Sequence, residues 1–162
     1  MILLVDDKLP SSADWIGLIE EALGQTVRRT SDVRTAEREA RQQSEKFNAL
    51  EDRSGMFSMA ILDVMMKAPG REVGTSTSGR QDSAADDWVQ NSGGGAVTGV
   101  ELARRLRRLK GFEKLPIIFL TAHSDESVIW DLKHFDQPSA YFNKGSMQGE
   151  DFLEQIEVFL NL

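Results

Sequence analysis

The sequence predicts an open, doubly wound α/β fold, with five parallel strands in one sheet and helices on both faces. Three observations predict it. Short aliphatic runs alternate with amphipathic stretches five times over, the pattern of repeated strand–helix units. The strong runs are apolar throughout, as strands buried on both faces require. The chain has 162 residues, the size of one domain that buries about 70% of its unfolded surface without a metal or disulfide staple. Residues 1–162 are therefore expected to form a single domain, interrupted by an insertion at 67–98.

Ile2-Leu3-Leu4-Val5 is the first strand, stopped by Asp6 and Asp7. Asp14 to Leu23 is a helix with Trp15, Leu18, Ile19 and Ala22 on its inner face and Ser11 as its cap. A weak strand follows over Thr26 to Arg29. Asp32 to Glu51 is a long helix whose seam runs Val33, Ala36, Ala40, Gln43, Phe47 and Leu50. Glu37, Arg41 and Glu45 sit four apart on its solvent side. Small seam residues suit close packing on a sheet, whereas a coiled coil wants Leu where Ala and Gln stand.

Met59 to Met66 is the third strand. Residues 67–98 then lose all periodicity and collect Gly, Ser and Thr, as in Gly74-Thr75-Ser76-Thr77-Ser78-Gly79. Such a segment is expected to be a mobile loop. Poor order is expected over Val73 to Ala85, and Trp88 with Val89 is the pair able to anchor the rest. Gly99 to Lys110 is a helix with Leu102, Leu106 and Leu109 inward. Pro116 to Leu120 is the fourth strand, Ser124 to Phe135 a helix, Ala140 to Asn143 the fifth strand, and Gly149 to Leu160 the last helix.

Composition excludes several classes. No cysteine is present, so disulfide frameworks, thiolate zinc sites and cysteine nucleophiles are out. A net charge of −7 opposes general binding to nucleic acid or anionic membranes. The first apolar run ends at Val5, too short for a signal peptide or a membrane span. A cytoplasmic protein with no membrane contact and no direct nucleic-acid contact is expected. Arg104, Arg105, Arg107, Arg108 and Lys110 read as a solvated helix face. Gly93-Gly94-Gly95 follows no strand and makes no dinucleotide loop.

The chemistry lies in what ends each strand. The first ends in Asp6-Asp7, the third delivers Asp63, the fourth ends in Thr121-Ala122 and the fifth in Lys144. Parallel strands put all of these on one edge of the sheet. Three converging carboxylates resist ionising together, and a hard divalent cation such as Mg²⁺ resolves the repulsion. A lysine and a hydroxyl beside them suit the remaining oxygens of a phosphoryl group, so the set fits phosphoryl transfer onto a carboxylate. An aspartate at one strand end is commonly only a turn residue. Five polar groups, in order and each at a strand end, distinguish this chain.

The residues Ile2-Leu3-Leu4-Val5-Asp6-Asp7, Ile61-Leu62-Asp63-Val64-Met65-Met66, Thr121-Ala122 and Tyr141-Phe142-Asn143-Lys144 closely resemble a response-regulator receiver domain of two-component signalling. Thr98-Gly99-Val100-Glu101-Leu102 is similar to that family's start of the third helix. The resemblance covers nearly the whole chain outside the insertion, and it implies a flavodoxin-like sheet of order 2-1-3-4-5. It implies that Asp63 is the phosphorylation site. It makes Asp6, Asp7, Asp63 and the backbone carbonyl of Met65 the Mg²⁺ ligands, and Thr121 and Lys144 the phosphate-binding residues. Tyr141 matches the switch aromatic, and Met65 and His123 stand where the family tunes phosphate lifetime. The phosphodonor would be a histidine kinase or histidine phosphotransferase, and the output an unidentified downstream protein.

The face of the fourth helix, fifth strand and fifth helix is the expected partner or homodimer surface. Trp130, about 200° round the fourth helix from Val128, should point outward there, near Tyr141. A stand-alone receiver without an attached output domain is expected, or else a piece cut from a longer chain. Departures from the family are Lys67 and Gly145, both where proline is usual, and the long insertion, expected to be a mobile flap over the site that either gates access or contacts the partner, or is an inert surface loop. The Lys144–Gly145 bond is expected to be trans, because cis costs about 2.5–4 kcal/mol without proline.

The alternative is a receiver fold used as a docking module independent of phosphorylation. An enzyme acting on a separate substrate is not expected. An aspartate-dependent phosphatase needs an acid where Met65 stands, and a nucleotide or flavin carrier would not place Asp6-Asp7 against phosphates.

Overall fold

A computed structural model of the chain describes residues 1–8, 14–66, 97–122, 126–144 and 149–160. The expectations for Ser11, the insertion as far as residue 96, His123, Ser124 and the Lys144–Gly145 bond lie outside the described residues.

Five strands pair in parallel: β1 (Ile2–Val5), β2 (Val27–Thr30), β3 (Met59–Asp63), β4 (Ile117–Thr121) and β5 (Ser139–Asn143). Their order is β2-β1-β3-β4-β5. The helices are α1 (Asp14–Leu23), α2 (Val33–Leu50), α3 (Thr98–Arg107), α4 (Glu126–Lys133) and α5 (Gly149–Leu160). After β1 the chain steps to one side to make β2, then returns past β1 to make β3. Right-handed crossovers can do this only if the helices change faces. Two clusters on opposite faces of the sheet record the change. Leu3, Val5, Ala60, Leu62, Ile117 and Phe119 pack with α2, α3 and α4. Ile2, Leu4, Met59, Ile61, Ile118 and Leu120 pack with α1 and α5. Alternate residues of one strand thus serve opposite layers.

The elements follow the sequence reading closely, and the differences have physical causes. The third strand stops at Asp63 rather than Met66: the Val64 N–H still donates to the Leu120 carbonyl, but its carbonyl accepts from the Gly99 N–H at the head of α3. Val97 packs partly buried against the core and Thr98 is buried at the head of α3, so the body of the domain resumes before residue 99.

The inner face of α1 is Ile16 and Ile19, with Leu23 alongside. Leu18 and Ala22 are exposed instead. The apolar residues of this helix offer two stripes, and contact with Phe152 and Ile156 of α5 selects the one that can interdigitate.

In α2 the seam is Val33, Ala36, Ala40 and Ser44, and Leu50 is exposed. The helix has 18 residues, about 27 Å, and overruns the short strands it covers. Gln43, expected in the seam, is half-buried beside it, and its side-chain carbonyl oxygen accepts from the Phe57 N–H at 2.9 Å. Ser44 donates to the Lys110 carbonyl at 2.9 Å.

The basic face of α3 is not simply solvated. Arg105 donates to Glu101 at 2.8 Å and lies 3.7 Å from Glu37, tying α3 to α2. Arg107 turns inward. Its guanidinium donates to the carbonyls of Leu115, Pro138, Gln137 and Asp136 and lies over the Phe135 ring, 5.2 Å from its centroid. Burial lowers its pKa below the ordinary arginine value, although the charge of Asp136 opposes this. A planar fork with five N–H donors can serve several carbonyls at once, which an ammonium cannot. Among the described residues no helix is long and apolar enough to cross a membrane.

Candidate functional site

Strand register assembles the site. Val5 pairs with Leu62, so Asp6 and Asp63 are the next residues on adjacent strands. Asp63 pairs with Leu120, which puts Thr121 one step further along β4. Thr121 pairs with Asn143, and Lys144 follows it on β5. Four polar groups therefore line one edge at the carboxyl ends, beside the β1/β3 switch point where ligands of such sheets bind.

Asp6, Asp7 and Asp63 each bring a carboxylate oxygen within 4.8 Å of the others. Asp6 and Asp63 are buried, Asp63 to 3% exposure, and Asp7 is half-buried. Lys144 crosses above β4 and joins two of them. Its Nζ lies 2.5 Å from Asp6 Oδ2 and 2.9 Å from Asp63 Oδ2. The free oxygens are oriented by backbone: the Lys8 N–H donates to Asp6 Oδ1 at 2.8 Å, and the Met65 N–H to Asp63 Oδ1 at 3.2 Å.

The electrostatics follow from this crowding. Burial raises the pKa of Asp63 above the ordinary aspartate value, and the Asp6 charge adds to the rise. The hydrogen bond and charge of Lys144 and the Met65 amide offset only part of it. Burial draws the Lys144 ammonium down, but the hydrogen bonds and charges of Asp6 and Asp63 outweigh it and hold its pKa above the ordinary lysine value. Three carboxylates against one ammonium leave two net negative charges when all are ionised. A hard divalent cation matches that deficit and the all-oxygen donor set. A polar hollow of about 290 Å³ beside Asp7, walled by Arg29, Thr30 and Ser31, has room for its waters.

Thr121 is buried at 1% exposure, at the end of β4 between Asp63 and Lys144 along the edge. Met65 is partly buried and packs against the core. Tyr141 lies opposite Phe119 in the sheet and packs partly buried on the layer of α2, α3 and α4.

Trp130 is 60% exposed, as its turn away from Leu132 and Phe135 requires. Its surroundings are not those expected. It stacks on His134 and lines a cleft with Arg104 and Arg108 of α3, so it faces the α3 side rather than β5.

Gly99 was not marked as a site residue in the sequence. A β-carbon there would fall 2.0 Å from the carbonyl oxygen of Asp63. Arg29, Thr30 and Ser31 were likewise unmarked, because β2 is weakly patterned and its end carries no distinctive spacing.

No protein-family model matches the chain, and no curated protein does. Solved structures do match. A CheY-like response-regulator receiver domain protein from Methanospirillum hungatei superposes with a TM-score of 0.57 at 19% identity, covering 99% of this chain and 92% of that one. A response-regulator receiver protein from Sinorhizobium medicae gives 0.57 at 15%, covering 99% and 93%. The receiver domain of a sensor histidine kinase from Pseudomonas aeruginosa, described with a magnesium ion coordinated in its active-site cleft, gives 0.57 at 15%, covering 99% and 98%. The chain has the fold of response-regulator receiver domains, a flavodoxin-like sheet of order 2-1-3-4-5.

Proposed function

We propose that the protein is a phosphoacceptor receiver that takes a phosphoryl group onto Asp63. The observation that carries this reading is the convergence of Asp6, Asp7 and Asp63 within 4.8 Å, with Lys144 joined to Asp6 and Asp63. The donor is a phosphohistidine on a histidine kinase or histidine phosphotransferase. A carboxylate oxygen of Asp63 attacks phosphorus, the bond from phosphorus to the imidazole nitrogen breaks, and the imidazole leaves with the electron pair.

Asp6, Asp7, Asp63 and the Met65 carbonyl are the residues that would hold Mg²⁺. When bound, the ion supplies positive charge between these carboxylates and the phosphoryl oxygens. Lys144 and Thr121 bind the remaining oxygens, Lys144 by releasing Asp63 as the acyl phosphate forms. Met65 sets the lifetime of the phosphoryl group, the role that the family resemblance also gives to His123, and Tyr141 reports occupancy through its packing. The protein catalyses only its own phosphorylation and dephosphorylation, and its output is a partner protein. A cytoplasmic location goes with this reading, because the donor kinases phosphorylate themselves from ATP.

Labelling with a small phosphodonor and Mg²⁺ tests it. A base-labile phosphate is expected on the parent chain, removed by chelator and absent from Asp63→Asn. Full labelling of Asp63→Asn would refute the assignment. A parent chain that takes no phosphate and binds no beryllofluoride would leave the phosphorylation-independent docking module as the better reading.

A further inference from the structure

Net charge is −7 over the whole chain, yet the mouth between α3 and α4 is lined by arginines. The cleft there measures about 530 Å³. One wall is Trp130 stacked on His134, with centroids 4.0 Å apart and planes at 24°. His134 Nδ1 lies 2.8 Å from the Trp130 carbonyl, which pins the imidazole and through it the indole. A large apolar side chain left exposed but already ordered loses little rotamer freedom when something covers it.

The opposite wall is Arg104, on the solvent side of α3, and Arg108, the residue that caps its C-terminus, both exposed. Arg104 stands 4.0 Å from Glu101, at the limit of an ion pair. Arg107, between them, is committed to backbone carbonyls and holds the floor in place. Asp131 and Asp136 line the cleft as well.

We infer that this cleft is a docking site for a protein partner that presents a short acidic segment beside an apolar or aromatic residue. Two carboxylates meet Arg104 and Arg108, whose planar forks favour bidentate pairing. The apolar residue covers Trp130. Tryptophan and arginine are the residues most enriched where truncation costs binding energy. Charge argues for a short acidic segment over a nucleic acid. The −7 chain repels an extended polyanion and the two lining aspartates add to this, while two carboxylates aimed at Arg104 and Arg108 meet the basic side of the cleft. None of the cleft's lining residues belongs to the Asp63 edge.

The test is selection from a displayed random peptide library on the immobilised full chain, with counter-selection on Trp130→Ala. Binding of the enriched peptides is then measured by fluorescence anisotropy. Enriched peptides should carry two or more acids within a few residues of Leu, Phe or Trp. Trp130→Ala and the double variant Arg104→Glu/Arg108→Glu should each weaken binding by about tenfold or more. A peptide with its acids replaced by Lys should regain binding to the charge-reversed variant. All three positions are exposed, and an unchanged thermal melt confirms that each variant is folded. No enrichment over Trp130→Ala would overturn the proposal. So would enriched peptides without acids, affinity within about twofold after charge reversal, or capture of oligodeoxythymidine by the same residues in place of acidic peptide.

Discussion

Gly99 lies directly against Asp63. The Gly99 N–H donates to the Val64 carbonyl at 3.1 Å, and a β-carbon added at Gly99 would fall 2.0 Å from the Asp63 carbonyl oxygen. The first turn of α3 is thus packed backbone to backbone on the strand end that carries the proposed phosphoacceptor. Neither partner is a flexible side chain, so a methyl group at residue 99 must move the helix or the strand end.

Gly99→Ala should therefore lower stability by about 1–3 kcal/mol, the usual cost of overpacking, and slow labelling of Asp63 by a small phosphodonor. Gly17→Ala is the control. It sits in α1 with nothing within 4 Å of the added carbon, and should stabilise by about 0.5–1 kcal/mol through helix propensity. Urea melts of both variants check the pair. Equal stabilities would show that the close approach does not constrain the site.

Without a divalent cation, Asp63 should destabilise the fold near neutral pH. Its pKa is raised, chiefly by burial, so the folded chain holds this proton where the unfolded chain has released it. Stability then falls as pH rises from the unfolded value, about 3.9, through the folded one. Asp63→Asn removes that ionisation. In chelator the variant should melt higher than the parent at neutral pH, and the gap should close as pH drops below about 4. Lys144→Met should do the opposite, because it leaves Asp6 and Asp63 facing each other without their shared ammonium. A parent chain more stable than Asp63→Asn in chelator would contradict this account.

Mg²⁺ should reverse the order. A ligand that binds only the folded chain adds about 2.7 kcal/mol at a hundred times its Kd. The melting temperature of the parent should climb with Mg²⁺ at constant ionic strength, and Asp7→Asn should flatten the response. A rise of equal size in Asp7→Asn would place the ion elsewhere.

The acidic edge was legible in the sequence because parallel strands all end on the same side, so polar residues that close aliphatic runs must converge. Asp6, Asp63 and Thr121 each follow or end such a run, and Lys144 follows the mixed, half-buried strand β5. What could not be read depends on contacts between distant segments. Periodicity suggested Leu18, Ile19 and Ala22 for the inner face of α1, whereas the approach of α5 selects Ile16, Ile19 and Leu23. Nothing local marks Arg107 as different from Arg104 or Arg108. The carbonyls of the loop before β5, 29 to 31 residues on, make the difference. Trp130 was legible as exposed, but its arginine neighbours come from α3 and not from the strand beside it in sequence.

Arg107 should prove structural. In Arg107→Ala the Pro138 carbonyl, 2.6 Å from Nη2, keeps the Ile117 N–H, but the buried Leu115 carbonyl, 3.1 Å from Nη2, loses that donor. A buried acceptor left so costs about 1–3 kcal/mol. Arg107→Lys should recover little, since one ammonium cannot span carbonyls on both sides. Arg104→Ala, at an exposed position, should change stability by less than about 0.5 kcal/mol. Chemical denaturation of the three variants checks the ranking, and an Arg107→Lys protein as stable as the parent would count against it.

Asp32 gives the domain a separate, acid-sensitive contribution. It caps α2 from an extended conformation, φ −124° and ψ 121°, and accepts from the backbone of Arg34 at 3.3 Å and Thr35 at 2.8 Å. The Thr35 hydroxyl donates to the same carboxylate at 2.6 Å. Burial pushes this carboxyl up, but the Thr35 hydroxyl, the two amides and the Arg34 charge together hold it below the usual aspartate value. A depressed carboxyl pKa means stability that is fully present above the unfolded value, about 3.9, and lost as pH falls through the folded one. Asp32→Ala should thus cost about 1 kcal/mol at neutral pH, the typical worth of an N-cap. The deficit should shrink in acid, where the parent carboxyl takes up its proton and the charge-assisted bonds weaken. Asp32→Asn keeps an acceptor for the amides and should lose less at neutral pH, with no acid-dependent component of its own. Urea midpoints across a pH series separate the two effects. An Asp32→Ala deficit that stays constant down through the acid range would mean that the cap acts by shape alone and that the carboxylate charge adds nothing.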